Sequence, residues 1–395
     1  MAPLGTDWRL VDDVATAWFD APSLSEGAGL ARRVVELSGD ALVDLRATGL
    51  RVRLDPDDHL QERAEAVSVA ARELGLAPDP DVLQQVDVVL ESPDPQRARA
   101  FWQGVLDHVP TADGGLVDPL RRDPGLRVRS ADEPRPLRNR LHLDVVRPAA
   151  VVEAVSPGEA SGPYGVRHAD PDGNEVDLVP GGPLGEGDAT SDWQAVFSAI
   201  ACYRTTSVAQ QGDLVGAAAA LADAAGFPLL VDLRPGLVVL DSGKDQAEAD
   251  AHGLEVDVVD LAARLQAAAR ELGAVPEPGL ARFVQLFLDA ADVAAVREFW
   301  AAVLGYVEDR RDGVTDLHDP RRLGPVVVLQ ELDASDGERR RQRNRSHVEL
   351  AVPADRAEAR VAVALAAGGR LLDQSPGRWR VADPEGNELE VVGGP

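Results

Sequence analysis

The groups through which this 395-residue sequence can do chemistry are imidazoles and carboxylates that recur at matched places. His142 follows Asn139-Arg140 and His347 follows Asn344-Arg345, so each histidine ends an Asn-Arg-x-His pattern. An imidazole can ligate a metal or carry a proton near neutral pH. A histidine beside an Asn-Arg turn also suits a hydrogen-bonded structural role, and the sequence leaves both readings open. Acidic turns recur too, as Asp170-Pro-Asp-Gly-Asn-Glu175 and Asp383-Pro-Glu-Gly-Asn-Glu388. The lone Cys202 rules out an intramolecular disulfide and any multi-cysteine zinc or iron-sulfur site, and reads as a buried thiol. His108, His168 and His318 lie in or beside turn-rich segments and read as surface or turn residues.

These groups are positioned by a chain that repeats itself. Val43-Asp44-Leu45-Arg46 recurs as Val231-Asp232-Leu233-Arg234, Ala70–Gly75 as Ala268–Gly273, and Phe101-Trp102 as Phe299-Trp300. The offset grows along the chain, as expected when a second copy gains residues in surface loops. Proline and acidic residues interrupt the copies near 76–82 and 274–280, so four domains of two alternating types are expected. The expected bounds are 1–78, 82–182, a linker at 183–190, then 191–275 and 280–395. The first type has a helix near Ser25–Leu37, a hairpin around Thr48-Gly49 and a second helix stopped at Gly75. The second type opens with a strand (Val86–Leu90 or Phe283–Leu288), continues into the Phe-Trp helix, and runs β-α-β-β-β twice. The expected fold class is α+β. Phe101-Trp102 and Phe299-Trp300 are expected to pack that helix on the sheet.

Charge narrows the partners. Asp plus Glu number 67 against 40 Lys plus Arg, a formal charge of -27, and Lys244 is the single lysine. Such a field repels phosphate backbones and anionic membranes, so nucleic acid and membrane are excluded as expected partners. No apolar run approaches the roughly 20 residues of a membrane span. Met1–Trp8 reads as no secretory signal, and the expected location is cytoplasmic. The arginine run Arg339–Arg345 reads as a solvated loop or as a clamp for an anionic substrate.

On the Phe-Trp helix, the Asn-Arg-x-His opening and the Asp-Pro-x-Gly-Asn-Glu turn, residues 82–180 and 280–393 resemble the vicinal oxygen chelate superfamily, which includes glyoxalase I, extradiol dioxygenases and bleomycin-resistance proteins. The smaller domains resemble pterin-4a-carbinolamine dehydratase through the early Trp, the Val-Asp-Leu-Arg strand and the Ala-Arg-Glu-Leu-Gly helix. That family's histidines are missing: the triplet positions read Gly39-Asp40-Ala41 and Phe227-Pro228-Leu229, and the later position reads Asp57 and Gly243. His59 and His252 are nearby but out of register, so these domains are expected to pack or assemble rather than catalyse.

The superfamily resemblance implies that paired modules curve into a cup around a divalent ion. Carried over to the C-terminal copy, it implies Gln285, Glu331, His347 and Glu390 as metal ligands, with Glu331 preferred to Gln330, and Glu390 or Glu331 moving protons as the catalytic residue. Manganese, iron, nickel, cobalt or zinc would suit such donors. Trp379 and Gln330 are the implied ligand-binding residues, and Asp87, His142 and Asp177 a weaker second site in the N-terminal copy. Two functions follow from the resemblance. One is a metal-dependent lyase, isomerase or dioxygenase; the other is metal-free sequestration of a small polar molecule, and a homodimer is compatible with either.

Overall fold

The computed structural model describes residues 4–155, 157–244, 246 and 253–394; His252 lies outside the described residues. Two compact units result, each built from both copies: one takes the residues up to Leu83 and Gly181–Arg282, the other Gln84–Pro180 and Phe283–Pro395. Mixed strands and helices make up both, and among the described residues no helix is long and apolar enough to cross a membrane.

In the first unit, strand Leu42–Arg46 pairs in a hairpin with Gly49–Leu54, while helix Leu24–Leu37 begins at Ser23, whose side chain accepts from Glu26 N. Val43, Leu45, Leu50 and Val52 alternate into the core. Strand Leu42–Arg46 also runs antiparallel to Leu230–Arg234, so the recurring Val-Asp-Leu-Arg segments lie against each other with Asp44 opposite Asp232. His59 is exposed at the start of helix Leu60–Glu73 and makes no capping bond. Cys202 is buried, as its isolation suggested.

In the second unit, every second residue of the strands that matter to the site enters the core. Val86, Val88 and Leu90, Leu141, Leu143 and Val145, Val284, Leu286 and Leu288, and Val348 and Leu350 all enter one core with the Phe-Trp helices. Burying each such side chain is worth about 1.5–3 kcal/mol, which fixes the face the intervening polar residues must take. The helices Pro95–Leu106 and Val293–Leu304 start at Asp94 and Asp292, whose carboxylates accept from Arg97 N and Ala295 N.

The sheets combine the copies. Strand Gln85–Ser92 pairs antiparallel with Ser346–Val352, which in turn runs parallel to Glu388–Gly393. Strand Leu141–Pro148 pairs antiparallel with Phe283–Ala290 and also with Glu175–Pro183. We call these the His347 sheet and the His142 sheet. The expected cup confined to the C-terminal copy is therefore corrected: each sheet joins the opening strand of one copy to the second half of the other.

The recurring motifs hold this crossing together. Asn139 Oδ1 accepts from Arg345 N, and Asn344 Oδ1 accepts from Arg140 N, a reciprocal bond between copies. Trp102 Nε1 donates to Asp170 and Trp300 Nε1 to Asp383, tying each Phe-Trp helix to the acidic turn of its own copy. The arginine run is likewise structural. Arg339 pairs with Asp289, Arg343 with Glu91 and Glu388, and Arg345 donates to backbone carbonyls of Leu137 and Gly173. Their partners are buried acids and the turns beneath them, so the expected solvated loop is corrected at these three positions.

Candidate functional site

Strand pairing divides the expected ligand set. Gln285 lies in the His142 sheet, whereas His347 and Glu390 lie in the His347 sheet. Glu331 is exposed, and alternation places it on the same face as Val327 and Leu329, which enter the core; Gln330 and Val328 take the opposite face. Glu331, preferred as a ligand, and Gln330 thus take opposite faces of their strand. Trp379, expected to stack on a ligand, is partly buried against the core, while its neighbours Arg378 and Arg380 reach Glu349 and Glu388. His108 is buried, its ring nitrogens within 3.1 and 3.0 Å of the Leu106 and Pro124 carbonyls, and His318 is buried too, so neither is a surface residue.

What the structure gathers instead is His142, Asp144, Asp177 and Gln285. Among the described residues, one ligand atom from each of His142, Asp144 and Asp177 lies within 4.8 Å of the others. Asp144 stands directly opposite Gln285 across the strand pair, and Gln285 Nε2 donates to Asp144 Oδ2 at 3.1 Å. His142 stands opposite Phe287 and stacks on its ring, with centroids 5.0 Å apart. His142 Nδ1, Asp177 Oδ1 and Gln285 Oε1 are buried atoms without a hydrogen bond. Such orphaned acceptors and donors are costly unless something else satisfies them.

Electrostatics point the same way. Burial, reinforced by the charges of Arg138, Arg167 and Arg339, pushes the His142 imidazole down to about 3, so it is neutral with a lone pair available at physiological pH. Burial raises Asp177 from its ordinary value, against the opposing charge of Arg167. A neutral imidazole, two carboxylates and an amide oxygen form a nitrogen and oxygen donor set suited to a borderline or hard divalent ion. His142, Asp177 and Gln285 each have a sequence signal. Asp144 was missed, although His142-x-Asp144 is a period-two spacing that puts both side chains on one face of a strand.

The His347 sheet carries the same positions filled differently. Glu349 opposes Asp87 across the strand pair and stands beside Glu390. Asp87 is turned to its own neighbours, accepting from Gln85 Nε2 and Gly125 N at 3.0 and 2.8 Å. Arg127, Arg129 and Arg378 surround Glu349 and Glu390. Burial alone would raise Glu390, but Arg129 and Arg378 hold it well below the usual range, the opposite direction to its counterpart Asp177.

A family described as a glyoxalase-like domain matches residues 87–179 and 285–392, just over half of the chain. No curated protein matches. Among solved structures, glyoxalase I from Zea mays is 12% identical, covering 78% of this chain and 93% of its own at a TM-score of 0.38. A glyoxalase/bleomycin resistance protein from Albidiferax ferrireducens is 16% identical over 28% of this chain and 95% of its own, with a TM-score of 0.20. The cppA protein from Streptococcus pneumoniae is 9% identical over 78% of this chain and 98% of its own, with a TM-score of 0.33. Likenesses this low leave the site to be read from its own residues.

Proposed function

The chain belongs to the glyoxalase-like domain family, and from that premise we propose that His142, Asp144, Asp177 and Gln285 hold one divalent ion to which a small, oxygen-bearing organic molecule would bind. The observation that carries the reading is the 4.8 Å convergence of three ligand atoms, with His142 Nδ1, Asp177 Oδ1 and Gln285 Oε1 unbonded. Manganese, iron, cobalt, nickel or zinc fit the donors. When bound, such an ion supplies Lewis-acid polarisation of a substrate oxygen. The chain's own residues do the rest. Phe287 fixes the plane of the His142 ring, Gln285 orients Asp144 through its amide, and Val328 and Gln330 take the face of their strand away from the core. Asp177 holds the register position that Glu390 holds in the other sheet, and is the carboxylate to which uptake and return of a substrate proton would fall. Lyase or isomerase chemistry that passes through an enediolate-like oxyanion fits this arrangement.

The first unit is read as a dehydratase-like scaffold without its catalytic step. In support, the triplet positions hold Gly39-Asp40-Ala41 and Phe227-Pro228-Leu229, and His59 is 73% exposed at its side chain.

Elemental analysis of tag-free protein tests the metal reading. The expected result is about one divalent ion per chain, lost in His142→Ala and Asp177→Asn and retained in Glu331→Gln and His347→Ala. A ligand selective for the folded state at a hundred times its Kd adds about 2.7 kcal/mol of stability, so Tm should rise on adding the ion. No bound metal, with Tm unmoved by manganese, nickel, iron, cobalt and zinc, would leave metal-free sequestration as the surviving reading.

A further inference from the structure

Two sheets of one molecule present the same ligand positions, and one set is already neutralised from within. In the His347 sheet, Arg129 Nη1 donates to Glu390 Oε2 and Arg129 Nη2 to Glu349 Oε2, both at 2.6 Å. Arg127 Nε lies 2.8 Å from Glu349 Oε1, and Arg378 Nη1 lies 3.1 Å from Glu349 Oε2 and 3.2 Å from Glu390 Oε1. Every oxygen of the two carboxylates is thus engaged by a guanidinium. Beside them, His347 Nε2 is buried, 3.7 Å from Glu390 Oε2, and has no hydrogen bond.

Register identifies what stands at the arginine positions in the other sheet. Asp87 and Gln285 each precede their helix-capping aspartate, Asp94 or Asp292, by the same interval. Leu126 is beside Val88 and Val327 beside Leu286, so Arg127 corresponds to Val328 and Arg129 to Gln330. Arg380 opposes Glu390 as Arg167 opposes Asp177, so Arg378 corresponds to Gly165. Three cationic side chains in one sheet are therefore an aliphatic residue, an amide and a glycine in the other.

We propose that Arg129, flanked by Arg127 and Arg378, acts as a built-in cation at the ion position of the His347 sheet, making that sheet a latent divalent-metal site closed by arginine. A guanidinium satisfies two buried carboxylates by paired charged hydrogen bonds, which is the service a divalent ion would perform there. Removing the arginines would leave Glu349 and Glu390 buried without countercharge beside an unbonded imidazole nitrogen, and a divalent ion is the ligand class that restores the balance. The inference borrows from the proposed function only the correspondence of ligand positions.

The test is built so that the two readings fail separately. Arg127→Val, Arg129→Gln and Arg378→Gly are combined in a full-length Asp177→Asn background, which disables the His142 site, and cobalt(II) is the probe. The expected result is one cobalt ion per chain, with a rise in Tm, both removed by adding His347→Ala. An Arg129→Lys variant in the same background keeps a cation and should bind none. Should the triple variant fail to fold by circular dichroism, the double variant Arg129→Gln/Arg378→Gly, which frees both oxygens of Glu390, is judged by the same criterion. Absence of cobalt from the folded variant, or binding that survives His347→Ala, overturns the proposal. Because the count starts from the disabled background, a metal-free wild type would sink the His142 reading and leave this test intact.

Discussion

Arg343 shows how one side chain holds the base of a sheet. It donates to both oxygens of Glu91 and to both oxygens of Glu388, while Arg135 donates to Glu91 from the other side. Burial alone would raise Glu91, yet the hydrogen bonds and charges of Arg343 and Arg135 hold it below the ordinary glutamate value of 4.5. A carboxylate depressed in the folded state contributes its full stabilisation above its unfolded pKa and loses it as pH falls through the folded value. Glu91→Gln should therefore cost about 3 kcal/mol at neutral pH, because it breaks a buried pair and leaves Arg135 under-compensated. Below pH 4.5 the gap between variant and wild type should narrow. Thermal melts across that range check both the cost and its slope; a gap unchanged at low pH would show that Glu91 contributes by packing alone.

The Val-Asp-Leu-Arg strand shows how one element joins the two copies. Its two occurrences pair antiparallel, with Asp44 opposite Asp232, so a repeated motif becomes a self-complementary contact. Asp44 is fully buried and accepts from Arg51 at 2.7 Å, with Arg53 at 3.2 Å and Arg234 completing the group. Burial opposes ionisation of Asp44, but Arg51, Arg53, Arg234 and Arg46 hold it well below the usual carboxylate range. Asp44→Ala removes the shared anion of three arginines and should cost about 3–5 kcal/mol by chemical denaturation, far more than the exposed His59→Ala. The strand, its hairpin and the face of each residue were legible in the sequence, because apolar alternation and Gly49 state them locally. What the Asp-Arg pair was for was not legible, since its partner lies 188 positions away.

At the scale of the whole molecule the same limit governed the candidate site. Alternation in Leu141–Pro148 and Phe283–Ala290 put His142 and Gln285 on definite faces, but periodicity says nothing about which strand lies alongside. Ligands were therefore assigned to one copy, whereas the antiparallel pairing sets Gln285 against Asp144 and Asp87 against Glu349. The crossing makes a prediction about severed chains. A fragment of residues 184–395 contains strand Phe283–Ala290 but not its partner Leu141–Pro148, and Ser346–Val352 without Gln85–Ser92. An unpaired strand edge with one apolar face seeks another. The fragment should associate with a second copy of itself, each Phe283–Ala290 taking the other's Ser346–Val352. That dimer would gather Gln285, His347, Glu349 and Glu390 at one place, with Arg378 as the only one of the three sealing arginines present. Light scattering should give twice the fragment's mass, and co-expression with residues 1–183 should instead yield a one-to-one complex carrying the metal content of the intact chain. A monomeric, folded fragment would show that each copy can close its own sheet, and the exchange of strands between copies would lose its structural necessity.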